Sequence, residues 1–261
     1  MANVKSQRRI QSIEVGGKLL AALVDHGGPM PLRDLAQKAG MTSAKAHPYL
    51  VSFGNLGLIE QDPVTGHYAL GPFALQMGLI SLQLLDPVRL AIPAIAELGS
   101  DITHTIALAV AGSHGATIVH INESSYPIHV NMHTGTVMST LNTATGRVFA
   151  AWLPPKIVEY LVARELRDSA VIAQATTRMA KKELDTLLAE VRQRGIARAV
   201  GHPIPGINAI SAPVFDHTKA IVLAITAIGP SGSFDPAWNG EIAQKVRACA
   251  SRVSSQLGYK A

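Results

Sequence analysis

Cysteine is almost absent from this sequence: Cys249 is the single one in 261 residues. One cysteine excludes a disulfide within the chain and is typical of a reducing compartment, so the sequence predicts a cytoplasmic protein. The first ten residues, MANVKSQRRI, are basic but lead into no apolar core or small-residue cleavage site, and we therefore expect no signal peptide. Around Cys249, Ile242, Val246 and Val253 recur at helical spacing, which favours a buried, unreactive thiol.

Long hydrophobic runs and catalytic motifs are also missing. The longest apolar run, Ala220 to Ile228, is interrupted by Thr226 and is far too short to cross a bilayer. No GxSxG, P-loop or GxGxxG motif is present, so we predict neither an enzyme nor a cofactor. Ten histidines occur without HExxH, CxxC or HxH spacing, and their scatter over different strands and loops argues against a metal site. Five of them fall within thirty residues: His104, His114, His120, His129 and His133.

The composition is that of a folded protein with a moderate excess of positive charge. Hydrophobic residues make up 48% and charged residues 16%, which allows buried cores, and the length favours two domains. A net charge of +5 suits a partner such as nucleic acid. Basic residues gather near the start of the chain, where Lys5 and Arg8 form either a phosphate-binding arm or a solvated terminus.

The stretch from Pro31 to Asn55 predicts a helix-turn-helix. Apolar residues at three- and four-residue spacing mark one face of each helix, and Gly40 suits the left-handed conformation that ends the first. Thr42 or Ser43 would cap the second helix, which enters the major groove in this motif. Two strand-like runs follow, residues 58–61 and 67–70 around a turn at 62–66, and they predict the β-hairpin wing of a winged helix.

The rest of the chain predicts a linker helix and an α+β domain. A helix from Pro72 to Leu85 is apolar on more than one face, which favours both linking domains and pairing with a second copy. Beyond residue 86, short strands and long helices indicate an antiparallel sheet covered by helices, as in sensor domains. Its predicted elements include a strand at 128–132, an amphipathic helix from Ala180 to Arg194 and a last helix from Pro236 to Leu257. We therefore predict a DNA-binding domain at 1–71, a linker helix at 72–86 and an effector-binding domain at 87–261.

Two segments of this second domain are candidates for ligand binding. The run from Thr140 to Arg147 is rich in hydroxyls and leads into a helix, whose free N–H groups suit an anion such as a carboxylate. The alternative is that Thr143 simply caps that helix. The second segment, Gly206 to Asp216, reads GINAISAPVFD, and its nearly continuous apolar run from Ile210 to Phe215 predicts a buried strand.

From about Ser12 to Tyr259 the chain resembles the IclR-type bacterial transcriptional regulators. TATGRVFAA is similar to that family's small–A–x–G–K–A loop, and GINAISAPVFD is similar to its G–v–x–x–i–A–a–P–v–f–D strand. The resemblance implies an effector pocket on this loop and these strands. Its implied lining is Val130, Ala144, Thr145, Ala199, Ile207, Ala209, Thr226 and Ile228. DNA contacts are predicted at Arg33, Thr42, Ser43, Lys45, His47, Tyr49, Thr65 and His67.

The sequence departs from the family pattern at three places. Pro48 stands where arginine is common in the recognition helix, so we expect a kink or a helix that begins later. For Tyr49, packing against the first helix is the alternative to DNA contact. Arg147 replaces the usual lysine, which keeps the charge but changes the hydrogen-bond geometry. The family's acidic residues before the strand motif are absent here, where Ala199 to Pro203 stand, and this favours an anionic or aromatic ligand.

The sequence as a whole predicts a transcriptional regulator that binds operator DNA and a small organic or aromatic acid. We expect a homodimer or a dimer of dimers, with no membrane partner. The alternative is a small-molecule-binding protein whose winged helix has lost DNA binding, as Pro48 suggests.

Overall fold

The computed structural model describes residues 10–124, 132–172 and 181–260. The chain divides into two compact units, and the division falls between Leu85 and Asp86.

The N-terminal unit is a winged helix built from three helices and a two-stranded sheet. Its core is formed by buried apolar side chains of all these elements, among them Leu19, Leu35, Leu50 and Ile59. The hairpin is antiparallel, with Ile59 opposite Leu70. The elements are α1 (Gln11–His26), α2 (Leu32–Lys38), α3 (Ser43–Asn55), β1 (Ile59–Gln61), β2 (Tyr68–Leu70) and α4 (Pro72–Gln83).

Helix α3 corrects the expectation that Pro48 delays the start of the helix. The helix begins at Ser43, and the Thr42 hydroxyl caps it by accepting the Lys45 N–H at 3.3 Å. Pro48 lies inside the continuous helix as its sixth residue. A proline there has no N–H to donate, and its ring crowds the carbonyl four residues earlier, which belongs to the exposed Ala44. Water can solvate this carbonyl, which explains why the helix continues.

Helix α4 ends at Gln83, two residues earlier than predicted, and is apolar around its circumference. Among the described residues, it has no buried side chain: Leu75 is 63% exposed and Ile80 57%. No single helix in the described ranges is long and apolar enough to span a membrane. The pair formed by α4 and the next helix passes that test of length and composition only jointly, across a 69° bend.

The C-terminal unit is α+β, as predicted, with a five-stranded antiparallel sheet covered by helices. The strand order is β4-β3-β7-β6-β5. Helix α6 packs on β5, β6 and β7, and α8 packs on α6. The elements are α5 (Pro87–Ile102), β3 (Thr105–Gly112), β4 (Gly115–Asn122), α6 (Ala144–Trp152), α7 (Pro155–Ile172), α8 (Lys181–Arg194), β5 (Ala197–Val200), β6 (Ile207–Phe215), β7 (Ile221–Pro230) and α9 (Glu241–Gln256).

Several boundaries differ from the predicted ones. Strand β6 begins at Ile207 rather than Ile210, because Ile207 to Ala209 pair with Pro230 to Ile228 of β7. Helix α9 begins at Glu241 rather than Pro236, since the Asp235 carboxylate accepts the Ala237 N–H at 2.9 Å and a turn precedes the helix. The strand predicted at 128–132 falls mainly outside the described residues.

Candidate functional site

The predicted DNA-reading surface surrounds the exposed side of α3. Lys45 and His47 are exposed on this helix, and Ser43 is half-buried in its first turn. Arg33 is exposed on α2. In the wing, Thr65 is exposed and its hydroxyl accepts the His67 N–H at 3.3 Å.

The turn of the wing is fixed by one carboxylate. The Asp62 side chain accepts the N–H groups of Val64 at 2.7 Å and Thr65 at 2.9 Å. These hydrogen bonds, that of Thr65 first, hold the pKa of Asp62 below its ordinary value. A turn held in this way presents Thr65 in a defined position at the tip of the hairpin.

Tyr49 follows the alternative prediction. Its ring packs with the core of the winged helix and approaches Gly16 of α1 so closely that a Cβ on that glycine would lie 2.9 Å from Tyr49 Cδ1. The Phe53 ring packs against the same glycine, and its Cζ would also lie 2.9 Å from a Cβ on Gly16. The Tyr49 ring therefore holds α3 against α1, which favours the packing alternative over the predicted DNA contact.

In the C-terminal unit, the predicted ligand-binding positions converge on one cavity of about 140 Å³. Seven of the eight line it, and the eighth, Val130, lies outside the described residues. The seven are Ala144, Thr145, Ala199, Ile207, Ala209, Thr226 and Ile228. They come from four elements, α6, β5, β6 and β7, so only folding brings them together.

Seven further residues line the cavity. Thr143 belongs to the hydroxyl-rich run that was a candidate for ligand binding, whereas the other six were not named as lining residues from the sequence. The seven are Met132, Thr136, Met138, Thr143, His202, Pro203 and Ile204. Of the described lining residues, His202 alone has a titratable side chain.

The polar groups of the cavity are mostly paired with one another. The buried hydroxyls of Thr145 and Thr226 are 2.8 Å apart, and Thr226 donates to Ser211 Oγ at 2.9 Å. Thr143 caps α6 by accepting the Gly146 N–H at 3.0 Å. Both predicted roles of this loop, helix capping and cavity lining, therefore meet in Thr143.

The loop before α6 is held from outside the cavity by Glu165 of α7. This carboxylate accepts the Thr140 N–H at 2.7 Å and also the Ser139 hydroxyl. Ser139 Oγ in turn accepts the Asn142 N–H at 3.1 Å. No local sequence signal marks Glu165, because its partners are 25 and 26 residues away.

Arg147 has a structural role. Its Nε donates to the Leu141 carbonyl at 2.6 Å, and its second nitrogen donates to the Arg198 carbonyl at 2.9 Å. Burial lowers its pKa from the ordinary arginine value. The guanidinium thus ties the loop before α6 to β5, and it is absent from the residues that line the cavity.

Within the described ranges, no group of three or more His, Cys, Asp or Glu side chains is placed to hold a metal ion. His104 is buried against Phe234, with the two rings 5.0 Å apart. Burial lowers the pKa of His104, and a hydrogen bond with the Ser233 backbone acts in the opposite direction. His129, next to Val130, lies outside the described residues.

A winged helix joined to an α+β domain with a ligand-sized cavity defines a ligand-responsive transcriptional regulator. Two family models agree with this. The IclR helix-turn-helix domain matches residues 12–63, and the C-terminal domain of bacterial transcriptional regulator IclR matches residues 80–255. The chain belongs to the IclR family of transcriptional regulators, which have a DNA-binding and an effector-binding domain.

Individual relatives support the assignment. The crystal structure of Pseudomonas aeruginosa HmgR is similar with a TM-score of 0.88 and 33% identity, over 96% of this chain and 99% of that one. The glycerol operon regulatory protein of Streptomyces griseus is 28% identical, over 96% of this chain and 98% of its own length. The transcriptional repressor IclR of Escherichia coli is 25% identical, over 88% and 84% respectively.

Proposed function

We propose that the chain regulates transcription in response to a small organic or aromatic acid that binds in the cavity at the start of α6. The observation that carries this proposal is the convergence of four secondary-structure elements on a mostly apolar cavity of about 140 Å³. Small-molecule sites are typically apolar with a few polar groups that orient the ligand.

The chemistry of the lining favours a carboxylate. The first N–H groups of a helix have no acceptor within the helix, and the helix dipole places partial positive charge there. Thr143, Ala144 and Thr145, at the start of α6, line the cavity together with His202. Among the lining residues that the structure describes, none is Asp or Glu. A single negative charge would therefore meet only favourable or neutral groups.

The winged helix would bind operator DNA as a homodimer or a dimer of dimers. Lys45, His47 and Ser43 are the proposed contacts from α3, with Thr42 at its N-terminus. Arg33, Thr65 and His67 would reach the DNA backbone. The exposed apolar surface of α4 would be buried between two copies, because so large an apolar helix surface is unfavourable in water. We propose no catalytic role for the chain. Because its proposed partner is DNA, we place the protein in the cytoplasm.

A thermal-shift screen tests the ligand class. Aliphatic and aromatic carboxylates are compared with the corresponding neutral amides. A ligand at one hundred times its Kd adds about 2.7 kcal/mol of stability. We expect stabilisation by an acid and not by its amide. The stabilisation should be reduced in His202→Gln but kept in His217→Gln, an exposed histidine in the β6–β7 turn. Equal shifts with acid and amide would contradict the proposed charge preference.

A second candidate is a ligand-binding protein without DNA affinity, and Pro48 is the observation that favours it. Fluorescence anisotropy with the DNA upstream of its own gene separates the two. Tight, salt-sensitive binding by the unmodified chain supports the regulator. Affinity that appears only in Pro48→Arg supports the second candidate.

A further inference from the structure

A cluster of arginines surrounds Trp238, in the segment between β7 and α9. Arg194 from the last turn of α8 places its guanidinium carbon 4.4 Å from the centre of the Trp238 ring. Arg198 from β5 places its own at 4.3 Å. Cation–π contacts of this kind fix planar cations against an aromatic face. Two cations are thus held against the same tryptophan ring.

Arg247 of α9 adds a third cation. One of its terminal nitrogens donates to the Trp238 carbonyl at 3.2 Å. Its Nε is buried and has no hydrogen-bond partner, the one such side-chain atom found among the described residues. Because an unpaired buried N–H of a charged group is costly, this arginine is incompletely satisfied as it stands.

The charge of the cluster is only partly balanced. Glu190 accepts from Arg194 Nε at 2.8 Å and neutralises one of the three cations. Arg198 donates to the Pro236 carbonyl at 3.1 Å, which orients the group but carries no full charge. The nearby Asp235 carboxylate is engaged with the Ala237 N–H at 2.9 Å. With three guanidiniums against the carboxylates of Glu190 and Asp235, about one positive charge remains in excess, held by groups that are already oriented.

A depression of about 480 Å³ opens beside the cluster. The described residues that line it all carry polar side chains: Gln193, Arg194, Asn239 and Arg247. It shares no residue with the cavity at α6. Arginines present several N–H groups in a planar fork that matches the oxygens of phosphate, and side-chain amides add further donors.

We propose that this arginine–tryptophan cluster is a second binding site, one for a small phosphate-bearing anion. The negative charge of a phosphate monoester would meet the excess positive charge of the cluster. Its several oxygens are enough to engage both Arg247 and Arg194. The site is independent of the ligand cavity and of DNA binding by α3, so the protein would bind two chemically different small molecules.

The test uses the fluorescence of Trp238. The chain has two tryptophans, and Trp152→Phe leaves Trp238 as the only one. The full-length variant is titrated with inorganic phosphate and with methyl phosphate at constant ionic strength, and calorimetry on the unmodified chain provides a second measurement. We expect saturable binding, weakened tenfold or more by Arg247→Gln and by Arg194→Gln. Arg194 is exposed, so its substitution does not threaten the fold.

The matched control is Arg252→Gln, on the same helix as Arg247 and paired with Glu97 at 2.8 Å. It should bind phosphate as the parent does. A response that does not saturate, or an equal loss in Arg252→Gln, would overturn the proposal. Weakened duplex-DNA binding in Arg247→Gln without any phosphate response would assign the cluster to DNA instead. Binding of inorganic phosphate but not methyl phosphate would restrict the site to the free ion and overturn the ester assignment.

Discussion

Replacing Gly16 or Gly17 by alanine should have opposite effects on the winged helix, although both glycines lie inside α1. Alanine is favoured over glycine in a helix interior by about 1 kcal/mol, and both substitutions gain this amount. A Cβ at Gly17 would meet no atom within 4 Å. Gly17→Ala should therefore stabilise the N-terminal unit by nearly the whole gain.

At Gly16 the new methyl group would overlap two aromatic rings. Its Cβ would lie 2.9 Å from both Phe53 Cζ and Tyr49 Cδ1, whereas carbon atoms are best separated by about 3.5–4.0 Å. The rings must move by about 0.6–1.1 Å. Overpacking of this kind typically costs about 1–3 kcal/mol. After the helix gain is subtracted, Gly16→Ala should be neutral to destabilising by about 2 kcal/mol, and less stable than Gly17→Ala by about 1–3 kcal/mol.

Calorimetric melting of the full-length chain measures this difference. For a unit of this size, about 1 kcal/mol corresponds to a Tm change of about 4–8 °C, so the two variants should be well resolved. The double variants with Phe53→Leu add a control, because a smaller side chain should relieve part of the overlap at Gly16 and change nothing at Gly17. Equal melting temperatures for the two single variants would refute the packing of α3 against α1.

Three further predictions concern the binding surface, the loop before α6 and the buried thiol. Lys45→Gln should weaken operator binding. If Lys45 neutralises one phosphate, the slope of log K against log salt should also become shallower by about 0.9, which anisotropy at several salt concentrations measures. An unchanged slope would show that Lys45 does not contact a phosphate. Gly146→Ala should unfold the C-terminal unit or destabilise it by about 3 kcal/mol or more, because the new Cβ would overlap the Ser139 carbonyl and Thr140 Cα. Gly232→Ala is the control: its Cβ would meet no atom within 4 Å, so its melting temperature should be close to that of the unmodified chain. Cys249 is 4% exposed, and burial raises the pKa of its thiol. A thiol reagent at mildly alkaline pH should therefore label Cys249 far more slowly in the folded chain than in the unfolded chain, and equal rates would contradict its burial.

The sequence predicts well those features that depend on residues close together in the chain. Gly40 and Thr42 mark the turn of the helix-turn-helix, and the structure has a positive φ of 70° at Gly40 and a hydroxyl cap at Thr42. The hairpin and the helix at α8 follow from turn residues and periodicity in the same way. The cavity positions on α6 and β5–β7 could be named because two motifs resemble those of a known family.

The features that the sequence misses depend on distant partners. His202 lines the cavity only because the loop between β5 and β6 folds back over it, and Glu165 matters only because α7 brings it to Ser139 and Thr140. The periodicity of α3 placed Tyr49 outward, but the absence of a side chain at Gly16 makes room for its ring against α1. Pro48 was expected to disturb the helix, yet α3 begins at Ser43 and continues through it. The effect of such a proline depends on whether the carbonyl it frees is buried, and a local pattern does not reveal that.

The central claim is that a ligand in the cavity changes the affinity of the winged helix for DNA. The most direct measurement is operator binding by anisotropy, with and without an acid that stabilises the protein, for the unmodified chain and for Ala209→Phe. Ala209 lines the cavity, and a phenyl ring there would fill much of the 140 Å³. We predict a change in Kd of about 5- to 150-fold for the unmodified chain. Ala209→Phe should bind DNA without responding to the acid. An equal response in both proteins would contradict the account.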